Sequence, residues 1–234
     1  ASRDRPRCDA DNIIVGKSNT GIFNVINNKN AYASGYIILG ENAGSNGIVN
    51  VEDTGSFIEF SDLFIIGKEG NGTLNISKGG SASDYSSESI DGRHRIIIGD
   101  RSTGEGAVYI SGIKSNLTNY IGDTVVGLNG RAAINVSDSG SLIAGNSLSI
   151  AEGSGSIGAV RLTDPGTTLV AGNIHIGQKG TASLTLSDGA MVKVSAGNGI
   201  INLGAQTIST AGSSSQLNFG FAYGQSPANP GFLP

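Results

Sequence analysis

A four-residue unit recurs eight times along this chain: two β-forming residues flank a third, and a glycine closes the unit. It reads IIVG at 13–16, IILG at 37–40, FIIG at 64–67, IIIG at 96–99, TVVG at 124–127, LSIA at 148–151, IHIG at 174–177 and INLG at 201–204. The closing positions 16, 40, 67, 99, 127, 151, 177 and 204 step by about 27 residues on average. A period of that length marks a repeat architecture whose units stack on one another. Each unit leads through a glycine-rich turn to a second apolar stretch, at Phe23–Val25, Val49–Val51, Leu74–Ile76, Val108–Ile110, Ile134–Val136, Val160–Leu162 and Leu184–Leu186. A second turn follows (EDTGS, SKGGS, SGIKS, SDSGS, TDPGT, SDGAM), and then a third, weaker stretch such as SLIAGN at 141–146 or TLVAGN at 168–173. The alignment of the eighth unit is not carried beyond Gly204.

Three short strands with tight turns make one coil, and alternate residues of each strand point inward. A single coil cannot bury its inner face, whereas stacked coils can. The expectation is an all-β, right-handed parallel β-helix with three-strand coils, about eight rungs and a length of roughly 35–40 Å at strand spacing. No stretch carries a sustained 3.6-residue apolar pattern with caps, so almost no helix is expected. Propeller blades run to about 40–45 residues with a Trp-Asp signature, and this chain has no Trp. The 37 glycines among 234 residues show no three-residue period, which excludes collagen. The lone Cys8 excludes a disulfide scaffold. A net charge of −4 argues against a nucleic-acid partner, and no apolar run reaches the ~20 residues of a membrane helix.

The chain divides into an arm or cloning scar at 1–11, with three arginines and three aspartates and no apolar leader, a single β-helix domain at 12–220, and a loop or linker at 221–234. The longest repeat step carries a polar insertion, DYSSESIDGRHR at 84–95, expected to bulge from the rod. Insertions in repeat proteins gather on one face, often the binding face.

The pattern IxIG-GxGxLxVSxGGS, clearest in FIIGKEGNGTLNISKGGS (64–81) and IHIGQKGTASLTLSDG (174–189), resembles the glycine-rich repeats of bacterial autotransporter passenger domains secreted by the type V route. The resemblance covers residues 12 to about 204. It implies a parallel β-helix on the outer surface of a Gram-negative bacterium, within a larger adhesin or self-aggregating passenger. Membrane attachment would come only through a C-terminal barrel that these residues do not include.

Outward-pointing residues should form columns. Between the inward residues of the second strand lie Asn24, Asn50, Asn75, Tyr109, Asn135, Arg161 and Thr185. Stacked amides can bond along the rod, either stiffening it or docking against the same ladder on another molecule, where many weak bonds add up. These seven residues are the candidate self-association site. The first strand gives a second column, Ile14, Ile38, Ile65, Ile97, Val125, Ser149, His175 and Asn202, whose first five members are apolar. Such a stripe is unusual on an open surface, so either the 84–95 insertion or the N-terminal arm covers it, or it is a contact surface. Asp138, Asp164 and Asp188 recur at one turn position and would cap turns or, less simply, share a cation. No metal and no cofactor is expected.

An enzyme would need acid, base and cation gathered on one face. His94 and His175 lie about three coils apart, and Glu52 and Asp53 are the weakest of candidates for paired carboxylates. The expected function is therefore not catalytic: homotypic adhesion between cells, with aggregation and biofilm as the outcome. The alternatives are an adhesin for a host receptor or glycan using the 84–95 loop, a polysaccharide-degrading β-helix enzyme, and a passive stalk.

Overall fold

The computed structural model describes residues 7–84 and 94–194, together with the backbone of the strands Ile201–Leu203 and Ile208–Ala211. The described chain is a parallel β-solenoid with three faces. The first face stacks Ile13–Val15, Tyr36–Leu39, Leu63–Ile66, Arg95–Ile98, Asp123–Val126, the later parts of Ser141–Ile150 and Thr168–Ile176, and Ile201–Leu203. The second stacks Thr20–Val25, Asn46–Glu52, Asn71–Ser77, Glu105–Ser111, Arg131–Ser137, Ile157–Leu162, Thr181–Ser187 and Ile208–Ala211. The third stacks Arg7–Ala10, Asn30–Ala33, Phe57–Phe60, Ser81–Asp84, Asn116–Asn119, the earlier parts of the two long strands, and Met191–Val194. All pairings are parallel. Each face is thus eight levels deep and makes seven stacking steps, a solenoid of about seven turns, where the sequence led us to expect about eight rungs: the repeats count levels, and turns count the steps between them.

Side chains alternate on the second face. In Asn71–Ser77, Gly72, Leu74 and Ile76 are buried and the residues between them are not. The strands there are longer than their apolar triplets because an inward glycine or alanine extends them by one pleat. A Cβ on Gly72 would meet the Gly67 backbone nitrogen, and one on Gly106 would meet the Ile66 carbonyl. The first-to-second corner therefore admits only the smallest residues, and alanine fills the position at Ala132 and Ala182. The inward columns form one continuous core from Val15 to Val194, with Phe60 and Phe64 meeting edge-on at 5.4 Å across a corner. Burying each Ile, Leu or Phe contributes roughly 1.5–3 kcal/mol.

The closing glycine of the repeat turns the chain from the first face to the second. Gly16, Gly40, Gly67, Gly99, Gly127 and Gly177 all have φ between +66° and +83°. Only glycine takes that region without cost. Ala151 stands in the same column at φ +56°, which explains why the LSIA unit departs from the pattern only by one methyl.

Two expectations change at the margins. Arg7–Ala10 pairs in register with Asn30–Ala33, so the third face begins inside the segment read as an arm. That strand lies on the third face, so it does not serve as a cover for the first. Ile38, Ile65, Ile97 and Val125 are nevertheless at most 6 % exposed while standing outside the continuous core. The outward apolar column is thus shielded, and of the insertion at 84–95 only Asp84, His94 and Arg95 are among the described residues.

The corner glycines generate a contrasting pair of variants. Gly67→Val forces a β-branched residue to φ +77° with its Cβ against the Glu105 carbonyl. It should lower the unfolding free energy by at least about 2 kcal/mol. Ala151→Gly relieves a left-handed alanine and should raise it by roughly 1 kcal/mol. Urea unfolding followed by far-UV circular dichroism reads both, and equal effects of the same sign would refute the corner argument.

Candidate functional site

The seven candidate residues fall in one column on the second face. Cα partners run Asn24↔Asn50↔Asn75↔Tyr109↔Asn135↔Arg161↔Thr185 without a slip. The column is outward throughout: Asn24, Tyr109 and Arg161 are exposed and the others half-buried. Strand spacing of about 4.8 Å suits an amide-to-amide bond. Asn50 Nδ2 donates to Asn24 Oδ1 at 2.7 Å, and Asn75 Nδ2 donates to Asn50 Oδ1 at 2.8 Å. Tyr109 interrupts this ladder, and the Asn135 amide makes no side-chain hydrogen bond among the described residues. An amide carries two N–H donors and two acceptor lone pairs, so the ladder bonds use only part of the capacity of each asparagine.

Two more outward columns run beside it. The middle one holds Ile48, Thr73, Ala107, Ala133 and Ala159, and the far one holds Asn46, Asn71, Glu105, Arg131 and Ile157. Small residues between taller ones leave a shallow groove of about 540 Å³ along the axis, floored by Thr73, Ala107, Ala133 and Ala159. Glu105 and Arg131 face one another along the far column at 3.9 Å, both well exposed. Arg161 forms no ion pair among the described residues. The far column was not singled out in the sequence, although the same period-two count that selected the asparagines also selects it.

The remaining candidates have structural partners. Asp164 Oδ2 accepts the Asp138 backbone N–H at 3.3 Å, and Asp53 Oδ2 accepts that of Asn27 at 3.1 Å, so these aspartates tie each turn to the one stacked next to it. Asp138 and Asp188 share the left-handed turn conformation. Glu52 is held by Lys78 Nζ at 2.7 Å, and its hydrogen bond is the largest cause of the raised Lys78 pKa. Among the described residues no three acidic, histidine or cysteine side chains gather as metal ligands. His94 opens the fourth level of the first face and His175 stands on the seventh. Cys8 is exposed on the first strand.

One cluster was missed by the sequence reading. Asp84 points inward at the root of the insertion with its side chain fully buried, and Oδ1 accepts the Tyr120 N–H at 2.8 Å. Its Oδ2 lies 4.0 Å from His94 Nδ1, and neither atom has a hydrogen-bond partner. A strand-end aspartate before a polar insertion reads as a loop residue, and only the stacking shows it sealed between levels.

Fold and register together define the described chain as a parallel β-solenoid repeat protein. No protein-family profile matches it, and no curated protein and no solved structure is significantly similar to it.

The ladder generates a stability contrast. Asn50→Ala removes a side chain bonded both above and below and should cost about 1–2 kcal/mol, whereas Asn135→Ala should stay within about 0.5 kcal/mol of the native chain. Equal urea midpoints for the two variants would show that the ladder stabilises nothing. On the third face, burial pushes the Glu59 carboxyl above its ordinary value of 4.5, with Arg7 opposing the shift. The unfolded chain releases that proton at the ordinary value, so the cost of folding with a charged Glu59 builds as pH rises beyond it. Glu59→Gln should stabilise the solenoid at pH 7, and the gain should vanish as pH falls below about 4.

Proposed function

We propose that this solenoid is the surface-displayed passenger, or part of the passenger, of an autotransporter of a Gram-negative bacterium, and that it works by homotypic adhesion. Its partner is a second copy on a neighbouring cell, and the consequence is cell aggregation and biofilm. The observation that carries this reading is the second face: seven outward residues in unbroken register, dominated by amides whose hydrogen-bonding groups are only partly used by one another. A flat row of this kind binds weakly at any one position, and a rod multiplies the contacts. The repeat resemblance supports the cellular setting. The site residues are Asn24, Asn50, Asn75, Tyr109, Asn135, Arg161 and Thr185, with the neighbouring Glu105 and Arg131 on the same face.

Sedimentation velocity of the whole chain over a wide concentration range, at low and high salt, tests the reading. Reversible dimers or larger species should grow with concentration. Replacing Asn24, Asn50, Asn75 and Asn135 together by alanine should weaken association several-fold while the circular dichroism spectrum stays that of a β-solenoid. A native chain that remains monomeric at every concentration would rule homotypic docking out.

A further inference from the structure

We infer that two copies dock through their second faces antiparallel, about a twofold axis crossing the solenoid between the Glu105 and Arg131 levels, so that Glu105 of each chain meets Arg131 of the other. This rests on the homotypic reading above and specifies its geometry. A twofold contact is self-complementary: if residue i meets residue j, then j meets i. An axis lying in the contact plane, perpendicular to the solenoid axis, sets each column opposite its own copy and reverses the order of levels.

Among the described residues the second face has eight levels, and the Glu105 and Arg131 strands are the fourth and fifth. An axis between them gives each of the eight described levels a counterpart. In the far column, Glu105 then faces Arg131 twice over, and Asn71 faces Ile157. In the candidate column, Tyr109 faces Asn135 and Asn75 faces Arg161, giving the unpaired guanidinium and the unbonded amide partners from the other chain. In the middle column, Ala107 faces Ala133. The two shallow grooves meet over these alanines and make room for the long Tyr109, Arg131 and Arg161 side chains.

Other arrangements are worse by charge alone. Sliding the axis half a level spacing towards one end sets Arg131 against Arg131, and towards the other sets Glu105 against Glu105. An axis parallel to the solenoid instead places Glu105 against Tyr109 and Arg131 against Asn135, so neither charge finds its opposite. Like charges brought together across an interface are what exclude wrong registers. Seven steps of about 4.8 Å and strands of up to seven residues at about 3.3 Å make a face of roughly 700–800 Å². Two such faces bury about 1,500 Å², the size of an ordinary specific interface.

Charge reversal tests the register. Glu105→Arg and Arg131→Glu are both at exposed side chains, so both variants should keep the native circular dichroism spectrum. In sedimentation velocity at low salt, each alone should associate at least about tenfold more weakly than the native chain, because the dimer now opposes like charges. Mixing the two single variants should restore association as a heterodimer, since each then presents the charge that the other lacks, although neither has regained its internal Glu105–Arg131 pair. The double variant should again pair with itself. A native chain that associates while the single reversals do so equally well, or whose mixed variants stay apart, overturns this register and leaves homotypic association standing. A native chain that is monomeric throughout overturns both.

Discussion

Backbone hydrogen bonds running along the solenoid axis are the constraint from which everything else follows. Each strand is paired in parallel register with the levels on either side of it, so the same repeat position sits above itself at a spacing of about 4.8 Å. A side chain is therefore never placed singly. Apolar residues become core columns, amides become ladders, and opposite charges on adjacent levels become axial pairs such as Lys68–Glu41 at 3.4 Å. The same rule is unforgiving where the chain turns. At the corner after the first face, neighbouring backbones approach closely and a left-handed residue recurs, glycine at every described level but that of Ala151, and its spacing is the period seen in the sequence.

That origin explains how much of the structure is legible in the sequence. Fold class, the direction of the candidate column and its seven-residue membership all follow from a repeat and a period of two, because in this architecture sequence equivalence is spatial equivalence. Asn24, Asn50 and Asn75 could be placed above one another from spacing alone. What escaped was whatever the repeat does not encode. The Ile38–Ile65–Ile97 column points outward as its position requires, yet is shielded, and nothing in a repeat register announces a cover. Asp84 occupies an inward position equivalent to Phe60, but the polar residues after it disguised it as loop. Arg7–Ala10 has the composition of an arm and lacks the unit's apolar triplet, while still completing a level of the third face.

The candidate face shows the same division. Amides were conspicuous because four recur in one column, whereas Glu105 and Arg131 each occur once and carry no periodic signal. The two kinds of residue do different physical work. A ladder of like amides looks the same after a shift by one level, so it can supply contact but cannot choose a register. A single opposite-charge pair such as Glu105 and Arg131 breaks that translational symmetry. Across a twofold axis it would favour, among many near-equivalent alignments, the one in which both charges meet their opposites.

Exposed ion pairs add little to stability, since solvent screens them and long side chains lose freedom on pairing. Glu105 and Arg131 at 3.9 Å therefore contribute little to holding the solenoid together. Placed across a twofold axis, the same two groups and their copies form a four-charge cluster that is partly removed from water, where attraction and repulsion are both larger than on an open surface. In that register Asn75 meets Arg161 and Asn135 meets Tyr109, so the amides supply polar contact while the charges select the alignment. A surface that combines indifferent contact with a central charged key can associate through many weak bonds and still hold one geometry.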